Sequence, residues 1–179
     1  MSEVKQTRLI GLGVPPEVAE KIVNKNIARL IPASIGVIGA TAGWANPSAH
    51  AGFTNATVVG LPANQSASTF VIPLIGLKVG DTIVSYTVRG QIESAGNTST
   101  LDADLRKLTV AAANLTDASL GSITQVSVTA DAIVSSEKVL ATPEVVAADE
   151  QYYVLITGTT GAANTDIQLV GITIKIQEG

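Results

Sequence analysis

The sequence predicts a mainly β protein, an antiparallel β-sandwich of jelly-roll-like type, preceded by a short N-terminal amphipathic helix and an extended arm. Three observations predict it. From residue 69 onward, apolar and polar residues alternate with period two over several long stretches, the pattern of strands with one buried face. Turn clusters such as KVGD, SAGN, LGS, TPE and TGAANT punctuate those stretches. A helical period occurs once, near the N-terminus.

The helix comes first in the chain. Pro15 and Pro16 stand where a helix begins, since a first-turn proline forfeits no internal hydrogen bond. Glu17 and Glu20 suit the positive end of the helix dipole. On a helical wheel Val18, Ala19, Ile22 and Val23 share one side, and Glu17, Glu20, Lys21, Asn24 and Lys25 the other. The sequence NKN then closes the segment, because Asn tolerates the left-handed conformation. A helix of about ten residues is marginal alone in water, so its apolar face needs a partner.

A stretch rich in Gly, Ala, Ser, Asn and Pro follows, from Ile27 to Ser68. Strand can form at ASIGVIGA and TNATVVG. The remainder has no sustained period, and so long a connection is unusual inside a compact domain. Two readings stand side by side: an arm lying along another surface, or irregular strands packed on the chain's own body. The expected division is 1–68 for helix and anchoring arm, and 69–179 for the sandwich body.

In the body, TIVSYTVRGQI sets Val84, Tyr86, Val88 and Ile92 against Ser85, Thr87, Arg89 and Gln91. After the turn ESAGNT, the strand TLDADLRKLTV sets Leu101, Ala103 and Leu105 against Asp102, Asp104 and Arg106. A hairpin centred on Ala95 and Gly96 would place Val88 opposite Ala103, Tyr86 opposite Leu105, and Arg89 opposite Asp102. The apolar phase slips between Leu105 and Leu108, which predicts a β-bulge near Arg106 and Lys107. Later strands are expected at ITQVSVTADAIV, EKVLAT, QYYVLITGTT and TDIQLVGITIKIQ. YYVLITG is nearly all apolar and reads as central. The last strand changes phase near Val170 and Gly171, a second expected bulge.

Composition narrows the function. Charged residues are 15% against 46% hydrophobic, fewer charges than a typical soluble surface carries; such a surface more often meets another protein. Aromatics are only 3%, so the core is aliphatic. A net charge of −4 without a basic stripe argues against nucleic acid. With no cysteine there is neither a disulfide framework nor a thiolate metal site. No apolar run is long enough for a membrane span or a signal peptide, so synthesis in the cytosol is expected.

Candidate chemistry is sparse. His50 is the one histidine, with Ser48 nearby, but adjacent residues seldom give nucleophile-base geometry and no third group is identifiable. Asp102 and Asp104 lie two apart on one strand face and could serve as a carboxylate pair; the plainer reading is a solvated face. Neither DASLGS nor ADEQ has calcium-loop spacing, and GLGVPP lacks the third glycine of a dinucleotide fingerprint. Asn-x-Ser/Thr sequences occur at Asn55, Asn64, Asn97 and Asn114. The expectation is a non-enzymatic protein without a cofactor.

Taken together, the segment LIGLGVPPEVAEKI, the small-residue arm, the body FVIPLIGLKVGDTIVSYTVRGQIES and the late TDIQLVGITIKI resemble structural proteins of tailed-bacteriophage virions, most like capsid decoration (cement) and head-fibre proteins. The resemblance implies a β-rich homotrimer on the capsid surface of a virion, gripping the major capsid protein or another virion protein with its N-terminal arm. Leu9, Ile10, Leu12, Val18, Ile22 and Val23 are then the expected partner-binding anchors. The alternative is a receptor-binding or fibre module that contacts host-surface glycans through loops such as ESAGNT or TGTTGAANT. The scarcity of Trp and Tyr weighs against sugar stacking in that reading.

Overall fold

The computed structural model describes residues 10–13, 15–16, 26–39, 43–45, 58–94, 96–110, 113–162 and 165–179. The amphipathic helix expected after Pro16 lies outside these residues. The described strands are β1 (Asn26–Pro32), β2 (Val37–Ile38), β3 (Val59–Leu61), β4 (Ser68–Pro73), β5 (Thr82–Ser94), β6 (Ser99–Val110), β7 (Leu115–Val128), β8 (Ala132–Val145), β9 (Glu150–Thr159) and β10 (Thr165–Gln177). A single 3-10 turn, Ala33–Ile35, separates β1 from β2.

They form two sheets. One has the order β1-β10-β5-β8, with β3 paired to β10 beyond the end of β1. The other has the order β2-β4-β9-β6-β7. Every pairing is antiparallel. The two sheets pack face to face as a jelly-roll-like sandwich, which is the expected fold class. YYVLITG falls in β9, between β4 and β6, and is central as its apolar run implied.

The strongest sequence signals place the core. Tyr86, Val88 and Ile92 of β5 are buried as expected, as are Leu101, Ala103 and Leu105 of β6; Val84 is not, because the β5–β8 register shifts between Ile83 and Ser85 and Ile83 is buried in its place. Tyr152, Val154 and Ile156 of β9 join them, with Ile167, Leu169, Ile172, Ile174 and Ile176 of β10. Each fully buried aliphatic side chain contributes about 1.5–3 kcal/mol relative to exposure. The β10–β5 register shifts between Leu169 and Gly171, at the bulge expected near Val170; the β6–β7 register shifts between Leu105 and Arg106, beside the other expected bulge, but the extra residue is Leu120 of β7.

One pairing is corrected. β5 and β6 are not hairpin partners; they lie in opposite sheets, and residues 94–99 carry the chain from one to the other. Tyr86 and Ala103 do meet, but across the core, where the Tyr86 hydroxyl donates to the Ala103 carbonyl at 2.9 Å. Arg89 donates to Thr173 Oγ1 at 3.1 Å and has no pairing with Asp102. The physical reason is that inward-facing residues of two opposed sheets alternate just as those of a hairpin do. Two expected turns, LGS and TPE, also run inside β7 and β8. Both are edge strands, where an irregular residue such as Pro143 disturbs no second ladder.

The described residues from Asn26 to Ala67 are built into the sandwich, whereas residues 10–13, 15 and 16 are exposed. β1 and β3 pair with β10, and β2 with β4. Trp44 is buried, donates from Nε1 to the Ser68 carbonyl at 3.0 Å, and lies 5.6 Å from the Phe70 ring. Gly158 makes room for it: a Cβ there would lie 2.6 Å from Leu61 Cδ2 and 2.9 Å from Trp44 Cζ2.

Candidate functional site

The outer face of the β2-β4-β9-β6-β7 sheet gathers the polar residues that alternation turns away from the core. Since Leu101, Ala103 and Leu105 point inward, Asp102, Asp104 and Arg106 of β6 point outward. Since Tyr152, Val154 and Ile156 point inward, Tyr153, Leu155 and Thr157 of β9 point outward. The register places Arg106 beside Tyr153, Asp104 beside Leu155 and Asp102 beside Thr157. On the other flank of β9, Pro73 stands beside Tyr153, Val71 beside Leu155 and Thr69 beside Thr157. Val37 of β2 extends the middle row beyond Val71 and is 60% exposed.

A charged network organises the β6–β7 half. Arg106 Nε donates to both carboxylate oxygens of Asp117, each at 3.1 Å. Arg106 Nη1 donates to Asp104 Oδ2 at 2.6 Å. Ser119, the β7 partner of Arg106, donates from its hydroxyl to Asp104 Oδ1 at 2.5 Å. The Tyr153 hydroxyl donates to Asp117 Oδ1 at 2.8 Å. One guanidinium therefore holds two carboxylates, and one of those carboxylates holds the phenol.

The electrostatics follow from these contacts. Asp117 and Asp104 push the Arg106 guanidinium further toward its charged form. The Arg106 hydrogen bond holds the Asp117 carboxyl below its ordinary value, and the Tyr153 hydroxyl adds to this. Partial burial, then the hydrogen bond to Asp117, raises the Tyr153 phenol. Each group is thus fixed in its neutral-pH state.

Tyr153 stands apart from the other described aromatic residues. Trp44, Phe70, Tyr86 and Tyr152 are all buried, whereas Tyr153 is half-buried on an outer face. With Leu155, Val71, Pro73 and Val37 it makes an apolar strip along β9, β4 and β2. The charged network borders that strip on the β6 side. An apolar platform beside fixed donors and acceptors matches a ligand with one apolar face and a rim of hydroxyls. Among the described residues no group of three His, Asp or Glu side chains is placed to hold a metal ion.

The structure redistributes the residues that the sequence singled out. Asp104 joins the network, while Asp102 lies beside Thr157. The two aspartates thus do not form an isolated carboxylate pair, because Arg106 and Ser119 engage Asp104. Of the expected anchors, Ile10 and Leu12 are 42% and 81% exposed; Leu9, Val18, Ile22 and Val23 lie outside the described residues, as do Ser48 and His50. The described residues of TGTTGAANT meet residues 62–67 at one end of the sandwich, and Asn97 of ESAGNT lies beside Gly161. Thr160 Oγ1 donates to the Pro62 carbonyl at 2.6 Å, Asn64 N to the Gly161 carbonyl at 2.7 Å, and Thr165 Oγ1 to the Gly161 carbonyl at 3.0 Å. Tyr153, Asp117 and Ser119 were not singled out from the sequence.

No family model matches the chain, and no curated protein matches it. Solved structures do. One is the CBM22-1–GH10 portion of endo-1,4-β-D-xylanase 10B from Clostridium thermocellum complexed with xylohexaose, 13% identical over 87% of this chain and 28% of that one, with a TM-score of 0.50. Another is a family two carbohydrate esterase from Cellvibrio japonicus, 8% identical over 84% of this chain and 34% of that one, with a TM-score of 0.43. A third is a family 29 carbohydrate-binding module from Piromyces equi, 11% identical over 84% of this chain and 91% of that one, with a TM-score of 0.40. The chain spans about a third or less of the first two. At these identities the likeness is one of fold.

The capsid-decoration reading is corrected: the structure matched at a TM-score of 0.50 is the CBM22-1–GH10 portion of a xylanase and not a virion protein, and its likeness to this chain is one of fold. The physical reason is that the virion resemblance rested on a low-charge, small-residue, alternating body, and such a body is common to β-sandwiches of unrelated function.

Proposed function

We propose that the chain is a non-catalytic carbohydrate-binding module whose ligand lies along the outer face of the β2-β4-β9-β6-β7 sheet. The observation that carries this is Tyr153: an aromatic ring on an outer face, fixed by Asp117 and flanked by an apolar strip on one side and the Arg106–Asp104 network on the other. A pyranose ring presents C–H groups on its face and hydroxyls at its rim. Laid along β9, its face would rest on Tyr153 and Leu155. Its hydroxyls would then reach Asp104, Asp117 and Arg106. Carboxylates accept from hydroxyls and a guanidinium donates to them, so both senses of hydrogen bond are supplied. The likeness of fold to the CBM22-1–GH10 modules of a xylanase, complexed with xylohexaose, supports the same reading.

The test is calorimetric titration of the full chain with xylohexaose, cellohexaose and chitohexaose, with pull-down on insoluble xylan, cellulose, chitin and bacterial surface polysaccharide. Saturable binding to at least one of these, lost in Tyr153→Ala, is the expected result. Absence of binding to the whole panel, or full binding by Tyr153→Ala, would overturn the assignment of this face.

A further inference from the structure

The opposite face of the molecule, on the β1-β10-β5-β8 sheet, carries a groove of about 310 Å³ with a different construction. Two glutamines on neighbouring strands line it. Gln91 of β5 and Gln168 of β10 are direct register partners, as are Glu93 and Asp166 next along the same strands. Gln168 Nε2 donates to Asp166 Oδ2 at 3.2 Å, and Gln91 Nε2 donates to Glu93 Oε1 at 3.5 Å. The same device is thus repeated side by side. Each carboxylate holds the nitrogen of its amide, and the two amide oxygens are left as acceptors. Gln168 is only 2% exposed, although it lines the groove.

Arg89 supplies the donors. Its Nε is engaged with Thr173 Oγ1 at 3.1 Å, and a guanidinium has four further N–H groups. Ile133, Val170 and Val58 make the apolar wall. Ile133 is 78% exposed and Val170 44%. Val170 is turned out by the bulge in β10, where Leu169 pairs with Gly90 and Gly171 with Arg89, leaving Val170 unpaired. Gly171 permits this: its φ is 155° and a Cβ there would lie 2.2 Å from the Ile31 carbonyl oxygen. Bulges of this kind re-aim a side chain and recur beside sites.

We propose that this groove is a second carbohydrate site, taking a neutral sugar whose hydroxyls meet Gln91, Gln168 and Arg89 and whose C–H face meets Ile133 and Val170. A neutral sugar is specified because the two glutamine oxygens accept from hydroxyls and would set acceptor against acceptor before an anionic group; Arg89 is the one charged residue among the described residues that line the groove. The inference stands on the groove's own residues and not on the Tyr153 face. With sites on opposed faces, one copy of the chain can engage two glycan strands, which raises retention on a polysaccharide mesh through effective concentration.

The test is a heteronuclear NMR titration of the full chain with xylohexaose, cellohexaose and chitohexaose, following the side-chain amides of Gln91 and Gln168 and the Arg89 Nε–H. Saturable shifts of these signals, kept in Tyr153→Ala and weakened roughly fivefold or more in Ile133→Ser, are expected. Ile133 is exposed, so that variant leaves the core intact. If only the groove signals move, the Tyr153 assignment fails and this one stands. If only signals of the Tyr153 face move, or none do up to millimolar sugar, the second site is overturned. It is also overturned if the groove shifts vanish in Tyr153→Ala.

Discussion

The Tyr86 hydroxyl on β5 crosses the sandwich to the Ala103 carbonyl on β6 at 2.9 Å, and accepts from the Ile123 amide on β7 at 3.2 Å. The Gly121 carbonyl lies 3.0 Å from the same oxygen. A single buried phenol therefore ties one sheet to the other where the β6–β7 register is irregular. Burial raises its pKa, which keeps the donor in place. Tyr86→Phe leaves buried backbone groups without their partner. It should cost about 1–3 kcal/mol in a denaturant titration and leave sugar affinity within about twofold; an unchanged midpoint would refute the tie.

Tyr153→Ala removes the platform of the proposed site from a half-buried surface position. Affinity should fall by roughly one to two orders of magnitude, about 1.4–2.8 kcal/mol, while thermal stability changes little. Tyr153→Phe keeps the ring and loses only the bond to Asp117, so it should retain most of the binding. Equal losses in both variants would mean that the hydroxyl, and not the ring face, matters.

Arg106→Lys keeps the charge but cannot reproduce the paired contacts to Asp117 and Asp104. The pairs are partly exposed, so the stability cost should stay below about 1 kcal/mol. Affinity should drop about tenfold. The two readouts, melting temperature and calorimetric Kd, should therefore separate; a large fall in melting temperature would instead make the network structural.

Binding should be flat from about pH 5 to pH 9. Asp117 is held below its ordinary 3.8, so its contribution is complete above that value and fades only as pH falls through the lower folded one. Tyr153 is raised above its ordinary 10.0, so its neutral phenol is kept below that value and lost as pH rises through the higher folded one. Affinities measured at pH 5, 7 and 9 should agree within about twofold. A bell-shaped profile inside that window would point to a different titrating group.

Gly171→Ala places a Cβ against the Ile31 carbonyl in a backbone conformation that L side chains rarely adopt. It should destabilise by at least about 1–3 kcal/mol. Gly96→Ala is the control, since its φ of 79° is strained but no atom lies near the added Cβ; it should cost about 1 kcal/mol or less. Thermal melts of the two variants check the ordering.

Some of this was legible in the chain and some was not. The slip in apolar phase at Val170 marked the β10 bulge, because an extra residue inverts every later side chain; at Leu105 the register does shift, but the extra residue is Leu120 of β7, and β6 itself stays in register with β9. Asp102, Asp104 and Arg106 were legible as one outward face of β6. Asp117 and Ser119 were not, since β7 is an edge strand, exposed along most of its length, and exposed edges need no alternation. Tyr153 was masked by its neighbour: in YYVLI both tyrosines read as core, and only the inward side of Tyr152 settles that Tyr153 faces out. The scarcity of aromatics still weighs against sugar stacking, and the proposed site rests on the placement of one half-buried ring on an outer face.

The sequence by itself determined the fold class, the inward sets Tyr86, Val88 and Ile92 of β5 and Leu101, Ala103 and Leu105 of β6, and the bulge at Val170, because side-chain period and turn chemistry are local properties of the chain. Only the tertiary structure decided that β5 and β6 belong to opposite sheets, that the residues around Trp44 and Leu61 are built into the body, and that Arg106, Asp117 and Tyr153 meet. Strand order is set by which apolar faces close on one another over long sequence separations. An alternating pattern records that a face is buried, and carries no mark of the strand that buries it.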